Sequence, residues 1–149
     1  SNMGSQIIQE RFAAAEHAGR VDADTVERTR DEVVELLKQR LKPEFLNRID
    51  EIVMFEPLTR AQIERIVEMQ LDAVTGMLAE NGIRLEYTPA ARAWIADAGF
   101  DPLFGARPVK RTVQRYVIND LSKRILADDV RRDRPIRIDA GDGGLTFSN

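Results

Sequence analysis

Residues 99–126 read GFDPLFGARPVKRTVQRYVINDLSKRIL, and the reading of this stretch decides the fold. Its first part, FDPLFGAR, is a loop. Pro108 cannot sit inside a helix but suits a first turn, where its missing N–H is no loss. Val109, Val113, Val117 and Leu121 then recur at four-residue steps, with Tyr116 and Ile125 beside them. That is one apolar face of a long helix. Lys110, Arg111, Arg115, Lys123 and Arg124 interleave with it. An apolar stripe has to be covered, so the segments on either side are expected to pack over this helix.

Toward the C-terminus, Ile136 and Ile138 alternate with Arg137, Gly141–Gly144 turn the chain, and Leu145 and Phe147 alternate again. This predicts an antiparallel β-hairpin. Toward the N-terminus, Thr88-Pro89 reads as N-cap and first residue of a helix that carries Trp94 and Ile95 and ends at Gly99. Ile83, Leu85 and Tyr87 alternate with Arg84 and Glu86, the pattern of a half-buried strand. Before it, Ile63, Ile66, Val67, Leu71, Val74 and Leu78 share one helical face. Thr59 and Gln62 supply a capping box at its start and Gly82 a stop at its end. Met54, Met69 and Met77 follow the apolar stripes and are expected to fill core, and Trp94 to pack inside. Residues 57–149 thus predict a self-sufficient α+β unit, a lid of helices over a three-stranded sheet.

Residues 1–56 read differently. A helix over 5–15 places Ile8, Phe12 and Ala15 on one face, and a loop follows around Gly19. Asp24 with Glu27 offers a capping box for a second helix along Val26, Arg30, Val33, Val34, Leu37 and Leu41. Pro43 ends that helix and can open a short turn. The run EIVMF at 51–55 reads as a buried strand without a nearby partner, so this part is expected to belong to a larger sheet. By itself it is expected to fray, exchange between chains, or pack as helices alone.

Composition narrows function. Of 149 residues, 43% are hydrophobic and 32% charged, enough for one ordinary domain or a small domain with an appendage. No apolar run approaches the ~20 residues that span a bilayer, and Ser1-Asn2-Met3-Gly4 does not read as a signal peptide. No membrane partner is expected. The absence of cysteine excludes disulfides and thiol catalysis and fits a reducing cytosol, so a cytoplasmic location is expected. His17 is the sole histidine and has no second ligand at helical spacing, so no metal site is expected. A formal charge of -3 argues against nucleic acid on Lys110, Arg111, Arg115, Lys123 and Arg124, which share their helix region with Asp120, Asp128 and Asp129.

Two short motifs carry candidate chemistry: PEFLNRIDE at 43–51 and GARPVKR at 105–111. Each sets an arginine at an element boundary, where its planar fork can reach phosphate oxygens. The stretch PEFLNRIDEIVMFEPL (43–58) resembles the end of the second ATPase module of the Clp/Hsp100 family of AAA+ chaperones. The stretch at 99–126 resembles the lid domain that follows that module. The resemblance covers most of the chain, in order. It implies that residues 1–56 are the C-terminal remnant of a large AAA+ ATPase domain and residues 57–149 its small lid domain. It implies further that Arg48 matches the arginine finger, which reaches the γ-phosphate held by the neighbouring subunit. Such a finger is typically worth ~10³-fold or more in rate in GTPases. Arg107 matches the second sensor, which touches phosphates of its own subunit and couples lid angle to nucleotide state. Gly105 and Ala106 match the small residues beside it, as close approach to nucleotide requires. Ser1–Ser5 resembles the family's TSN-x-GS stretch, in which Asn2 matches the first sensor. The threonine before it is absent here, and Ser-Asn is also a scar left by tag removal, so both readings stand.

The sequence contains no G-x-x-x-x-G-K-[ST] and nothing like an acidic Walker B strand. These residues alone are therefore expected not to hydrolyse ATP; ATP and Mg²⁺ are cofactors implied for a longer parent. Residues 5 to about 40 also lack the Ile/Leu-Gly-Phe/Leu loop of the Clp ATPases that feed a protease. That favours a ClpB-type disaggregase over a ClpA- or ClpC-type unfoldase. The resemblance then implies a homohexamer, aggregated polypeptide clients and a DnaK-type co-chaperone. A stand-alone helical module that binds protein through EIVMF is the alternative of a different class.

Overall fold

The computed structural model describes residues 3–17, 21–101 and 104–149. The chain divides into two compact units, Ser1–Pro57 and Leu58–Asn149.

The first unit pairs α1 (Ser5–His17) with α2 (Ala23–Arg40), followed by the single turn α3 (Pro43–Leu46). Phe12 and Val33 are its buried apolar side chains, and Thr29 closes its hydroxyl onto the Thr25 carbonyl at 2.7 Å. Helix α2 starts two residues earlier than its sequence pattern predicts. Asp22, not Asp24, is the N-cap: its Oδ1 accepts from both the Thr25 amide and the Thr25 hydroxyl at 2.9 Å. Asp24 lies inside the first turn and pairs with Arg28, a favourable place for an acid at the positive end of a helix. Pro43 opens α3 at its first position, as its chemistry predicts.

The strand expected at 51–55 is not formed. Residues 51–57 have no regular structure, and Val53 and Phe55 stand 64% and 84% exposed. A strand needs neighbours to take its N–H and C=O groups. Among its described residues the first unit offers none, so β-propensity alone does not make the segment a strand, and only Ile52 and Met54 are half-buried.

The second unit carries the α+β fold. Its order is α4 (Arg60–Glu80), β1 (Leu85–Tyr87), α5 (Pro89–Gly99), α6 (Val109–Val113), a π-helical turn (Gln114–Ile118), α7 (Asn119–Leu126), β2 (Ile136–Gly141) and β3 (Gly144–Ser148). The sheet order is β1-β2-β3. The hairpin β2–β3 is antiparallel, with Ile138 opposite Phe147, while β1 pairs in parallel with β2, Leu85 opposite Ile136. Three signals from the sequence are realised as read. Thr59 and Gln62 form the capping box reciprocally at 2.8 and 3.3 Å. Thr88 caps α5 with Pro89 behind it. Gly82 follows α4 with φ +75, a left-handed residue that glycine adopts without strain.

The core is built from Ile63, Val67, Leu71 and Val74 of α4, Ile95 of α5, the stripe Val109–Val113–Val117–Leu121, and Ile136, Ile138 and Phe147 of the sheet. Trp94 packs edge-on to Tyr116, ring centroids 5.2 Å apart. Met69 and Met77, expected in this core, instead stand 59% and 47% exposed. At ~100° per residue, Met77 lies at the edge of the buried face of α4 and Met69 on its opposite side, so neither is covered. A polar seam joins α4 to α5: Arg60 pairs with Glu64 at 3.0 Å and with Asp97, and donates to the Ala93 carbonyl. That pairing holds the Asp97 carboxyl below its ordinary range. Tyr87 donates to Asp72 at 2.6 Å; burial, then this bond, pushes its phenol up to about 12.

The stripe of valines explains the π turn. In an α-helix each four-residue step overshoots a full turn by ~40°, so three steps carry a stripe ~120° off its face. One wider turn removes that drift. The Asn119 N–H bonds the Gln114 carbonyl five residues back, and the Gln114 side chain donates to Asn119 Oδ1 at 3.1 Å. Val109, Val113, Val117 and Leu121 therefore all stay buried.

Candidate functional site

The two candidate arginines lie in different units, and each is held by its own local architecture.

Arg48 follows α3. The backbone there tightens by short-range bonds: Asn47 N–H to Pro43 O at 2.9 Å, Arg48 N–H to Phe45 O at 3.1 Å, Ile49 N–H to Leu46 O at 3.1 Å. Leu46 and Ile49 are half-buried while Asn47 and Arg48 are exposed. The guanidinium thus projects from a turn whose main chain is already satisfied. Among the described residues no carboxylate pairs with it, although Asp50 and Glu51 are near in sequence. Asn2 lies outside the described residues.

Gly105, Ala106 and Arg107 form one turn that delivers the chain into α6. Asp101 and Gly105 exchange backbone bonds at 3.0 and 2.6 Å, and Asp101 Oδ1 accepts the Phe104 N–H at 3.0 Å. Gly105 has φ +62. A β-carbon there would find only Leu58 Cδ1, at 4.0 Å, so conformation, not crowding within the chain, is what this unit demands of it. The family resemblance accounts for its smallness by nucleotide approach alone. The Arg107 N–H reaches Phe104 O at 3.3 Å, and Val109 N–H reaches Ala106 O at 3.0 Å. Arg107 is exposed, again with no carboxylate partner among the described residues. Other exposed arginines share that property. Arg107 differs in standing on a doubly bonded turn against the buried start of α6.

In the sequence Gly99 marks only a helix end. A β-carbon on it would lie 3.0 Å from Val109 Cα, which shows how closely the end of α5 meets the start of α6. Thr112 Oγ1 adds a contact to Ala98 O at 3.5 Å. This fit fixes the height at which Arg107 emerges. No sequence signal separated it from an ordinary C-terminal glycine.

The glycines give a prediction with opposite signs. Gly105→Ala should destabilise the chain by about 1–2 kcal/mol, the penalty of left-handed backbone for an L residue. Gly76→Ala, inside α4 with nothing within 4 Å, should stabilise it by about 0.5–1 kcal/mol. Thermal unfolding of both variants checks this. Equal shifts would mean that the Gly105 turn relaxes.

Among the described residues no group of acids and histidine could hold a metal ion, and no helix is long and apolar enough to cross a membrane.

The model of the C-terminal, D2-small domain, of ClpB protein matches residues 58–138, which include the whole Gly105–Arg107 turn. The chain is 48% identical over 149 residues to the chaperone protein ClpB of Bacteroides thetaiotaomicron, which covers 100% of the chain and 17% of that relative. It is 50% identical to the ClpB of Porphyromonas gingivalis, with 100% and 17% covered. Against the probable chaperone protein ClpB 1 of Chlorobaculum tepidum it is 43% identical over 139 residues, covering 93% of the chain and 31% of the relative. The chain therefore spans about 17% of the length of the first two.

Proposed function

Since this chain belongs to the ClpB family of chaperones, as a piece that includes the D2-small domain, we propose that it works within a full-length ATP-dependent disaggregase. The observation that carries this reading is the family match across 58–138, inside which the exposed Arg107 stands on its braced turn. The full-length protein is proposed to be a cytoplasmic homohexamer that takes aggregated polypeptide and cooperates with a DnaK-type partner. Residues 1–56 are proposed to be the end of the large ATPase domain and residues 57–149 its lid.

The residues fit the nucleotide in a limited way. They offer projecting guanidiniums but no phosphate-cradling loop, so we propose that they do not hydrolyse ATP alone. ATP with Mg²⁺, once bound by the full-length protein, supplies the phosphoryl group whose cleavage drives motion. Arg107, with Gly105 and Ala106 shaping its turn, contacts phosphate of its own subunit. Because that contact lasts only while phosphate is present, and the turn is rigid against α5 and α6, phosphate loss changes the angle of the whole lid. Arg48 reaches into the pocket of the adjacent subunit and offsets negative charge there. The exposed methionines of α4, Met69 and Met77, are proposed to face a neighbouring subunit.

The test is reactivation of a heat-aggregated reporter enzyme by the full-length protein with ATP and a DnaK-type partner. Reactivation is expected for wild type and at least about tenfold less for Arg107→Ala, the worth of one lost charge-assisted contact. No ATP-dependent reactivation by wild type would sink the reading. An unaffected Arg107→Ala would remove the sensor role alone.

A further inference from the structure

Two sets of unpaired backbone groups in this chain fit each other. The first is the outer edge of β3. The Ile136 N–H donates to Arg84 O at 2.8 Å, and Ile138 O accepts from the Thr88 N–H at 3.0 Å. These β2 residues therefore direct their backbone groups toward β1. Arg137, Asp139 and Gly141, which alternate with them, direct theirs toward Ser148, Thr146 and Gly144 of β3. Leu145 and Phe147 stand opposite Ala140 and Ile138, so their N–H and C=O groups turn away from the sheet. Among the described residues these groups have no partner.

An edge in this state invites another strand, and folded proteins blunt such edges with charge, proline, a bulge or brevity. The opposite edge is blunted: β1 has three residues and carries Glu86 between Leu85 and Tyr87. By contrast β3 has five residues in unbroken register. Residues 143–149, GGLTFSN, contain no charge and no proline.

The second set lies in the segment EIVMF at 51–55. Its exposure alternates as a strand's does. Ile52 and Met54 are half-buried beside Val26 and Arg30 of α2, while Glu51, Val53 and Phe55 are exposed. Its β-branched and aromatic residues favour pairing, yet its backbone has no ladder partner among the described residues. Charge agrees with the match. Asp50, Glu51 and Glu56 bracket the apolar run, whereas Arg137 lies opposite Ser148 and Arg124 lies 5.3 Å over the Phe147 ring.

We propose that β3 is a docking edge for a second copy of this chain, whose residues 51–55 add to it as a fourth strand. Main-chain bonds to Leu145 and Phe147 hold the added strand, and the segment gains the ladder it lacks. The proposal concerns the 149-residue chain and does not rest on the reading of Arg48 or Arg107.

The test is amide exchange and sedimentation of the 149-residue chain at about 10 μM and about 1 mM, which bracket a weak association. Mass should rise with concentration, and the Leu145 and Phe147 amides should exchange at least about tenfold more slowly at the higher one. A Val53→Asp, Phe55→Asp double variant, changed only at exposed positions, should stay monomeric and exchange fast at both amides. Thr146→Lys puts a charge on the edge strand and should behave likewise. A wild-type chain that is monomeric at the higher concentration overturns the proposal. Association that leaves the Leu145 and Phe147 amides unprotected, or that survives the double variant, assigns the contact to another surface and overturns it too. Slow exchange at both amides in a monomeric chain would mean that the edge is covered within its own chain, which removes the second copy.

Discussion

Full-length protein with its first-module nucleotide site disabled and carrying Arg48→Ala should lose ATPase activity by ~10³-fold, the scale of a missing arginine finger, and should regain activity when mixed with a second inactive variant of the same background. The second variant keeps Arg48 but has a disabled phosphate-loop lysine. If Arg48 serves the neighbour's pocket, a mixed ring contains sites where an intact pocket meets an intact finger. Random mixing at equal amounts creates such sites at about one position in four, because heterologous contacts repeat around a closed ring. Roughly a quarter of the wild-type rate is then expected from two preparations that are each inactive. The surroundings of Arg48 support the proposal that it acts outside its own unit. Its backbone is satisfied by the turn after α3, its side chain is exposed, and it has no carboxylate partner among the described residues. Arg48→Lys should recover only part of the rate, since an ammonium keeps the charge but not the planar fork. Absence of recovery in verified mixed rings would place Arg48 in its own subunit's machinery or in structure. A normal rate in pure Arg48→Ala rings would withdraw the assignment.

Leu71→Ala should be among the most damaging single truncations in the second unit, and Met69→Ala, two residues away, should be nearly silent. Leu71 is 0% exposed within the core that joins α4 to α5, to the continuous stretch from α6 to α7, and to the sheet. Removing its buried carbons leaves a cavity and costs about 2–5 kcal/mol, against a total of ~5–15 kcal/mol for a typical domain. For a unit of this size Tm should fall by about 10 °C or more. Met69 keeps most of its side chain in water, so Met69→Ala should change stability by no more than ~0.5 kcal/mol. Thermal unfolding of the two variants side by side decides the matter. A large loss for Met69→Ala would mean that this face is covered by another copy of the chain.

The candidate residues were legible to different depths. The turn that carries Arg107 was legible, because Gly-Ala-Arg-Pro marks an entry into a helix, and so was the short α3 before Arg48, because Pro43 forces a new start. The choice of these two arginines over other exposed ones came from the family resemblance. The brace behind Arg107 could not be found. It depends on a 3.0 Å approach between Gly99 and Val109, and Gly99 looks in sequence like any glycine after a helix. The π turn had a partial signal: four apolar residues at strict four-residue steps drift ~120° around an unbroken α-helix, and one wider turn reduces that drift. The missing strand at 51–55 had its own signal in the lack of a partner, and the outcome follows from that lack.

The sequence by itself determined the helices, their caps, the hairpin and the α+β class of residues 58–149. These rest on contacts within a few residues: a hydroxyl reaching the amide three positions on, a proline at a first turn, an apolar side chain every third or fourth place. Tertiary structure alone decided which apolar residues are core, that β1 joins β2 in parallel, and that Met69 and Met77 face outward. It also decided that Gly105 is required by its backbone angle and that the outer edge of β3 has no partner among the described residues. Burial and pairing are settled by residues distant in the chain, and a local pattern states what a segment can cover but not what comes to cover it.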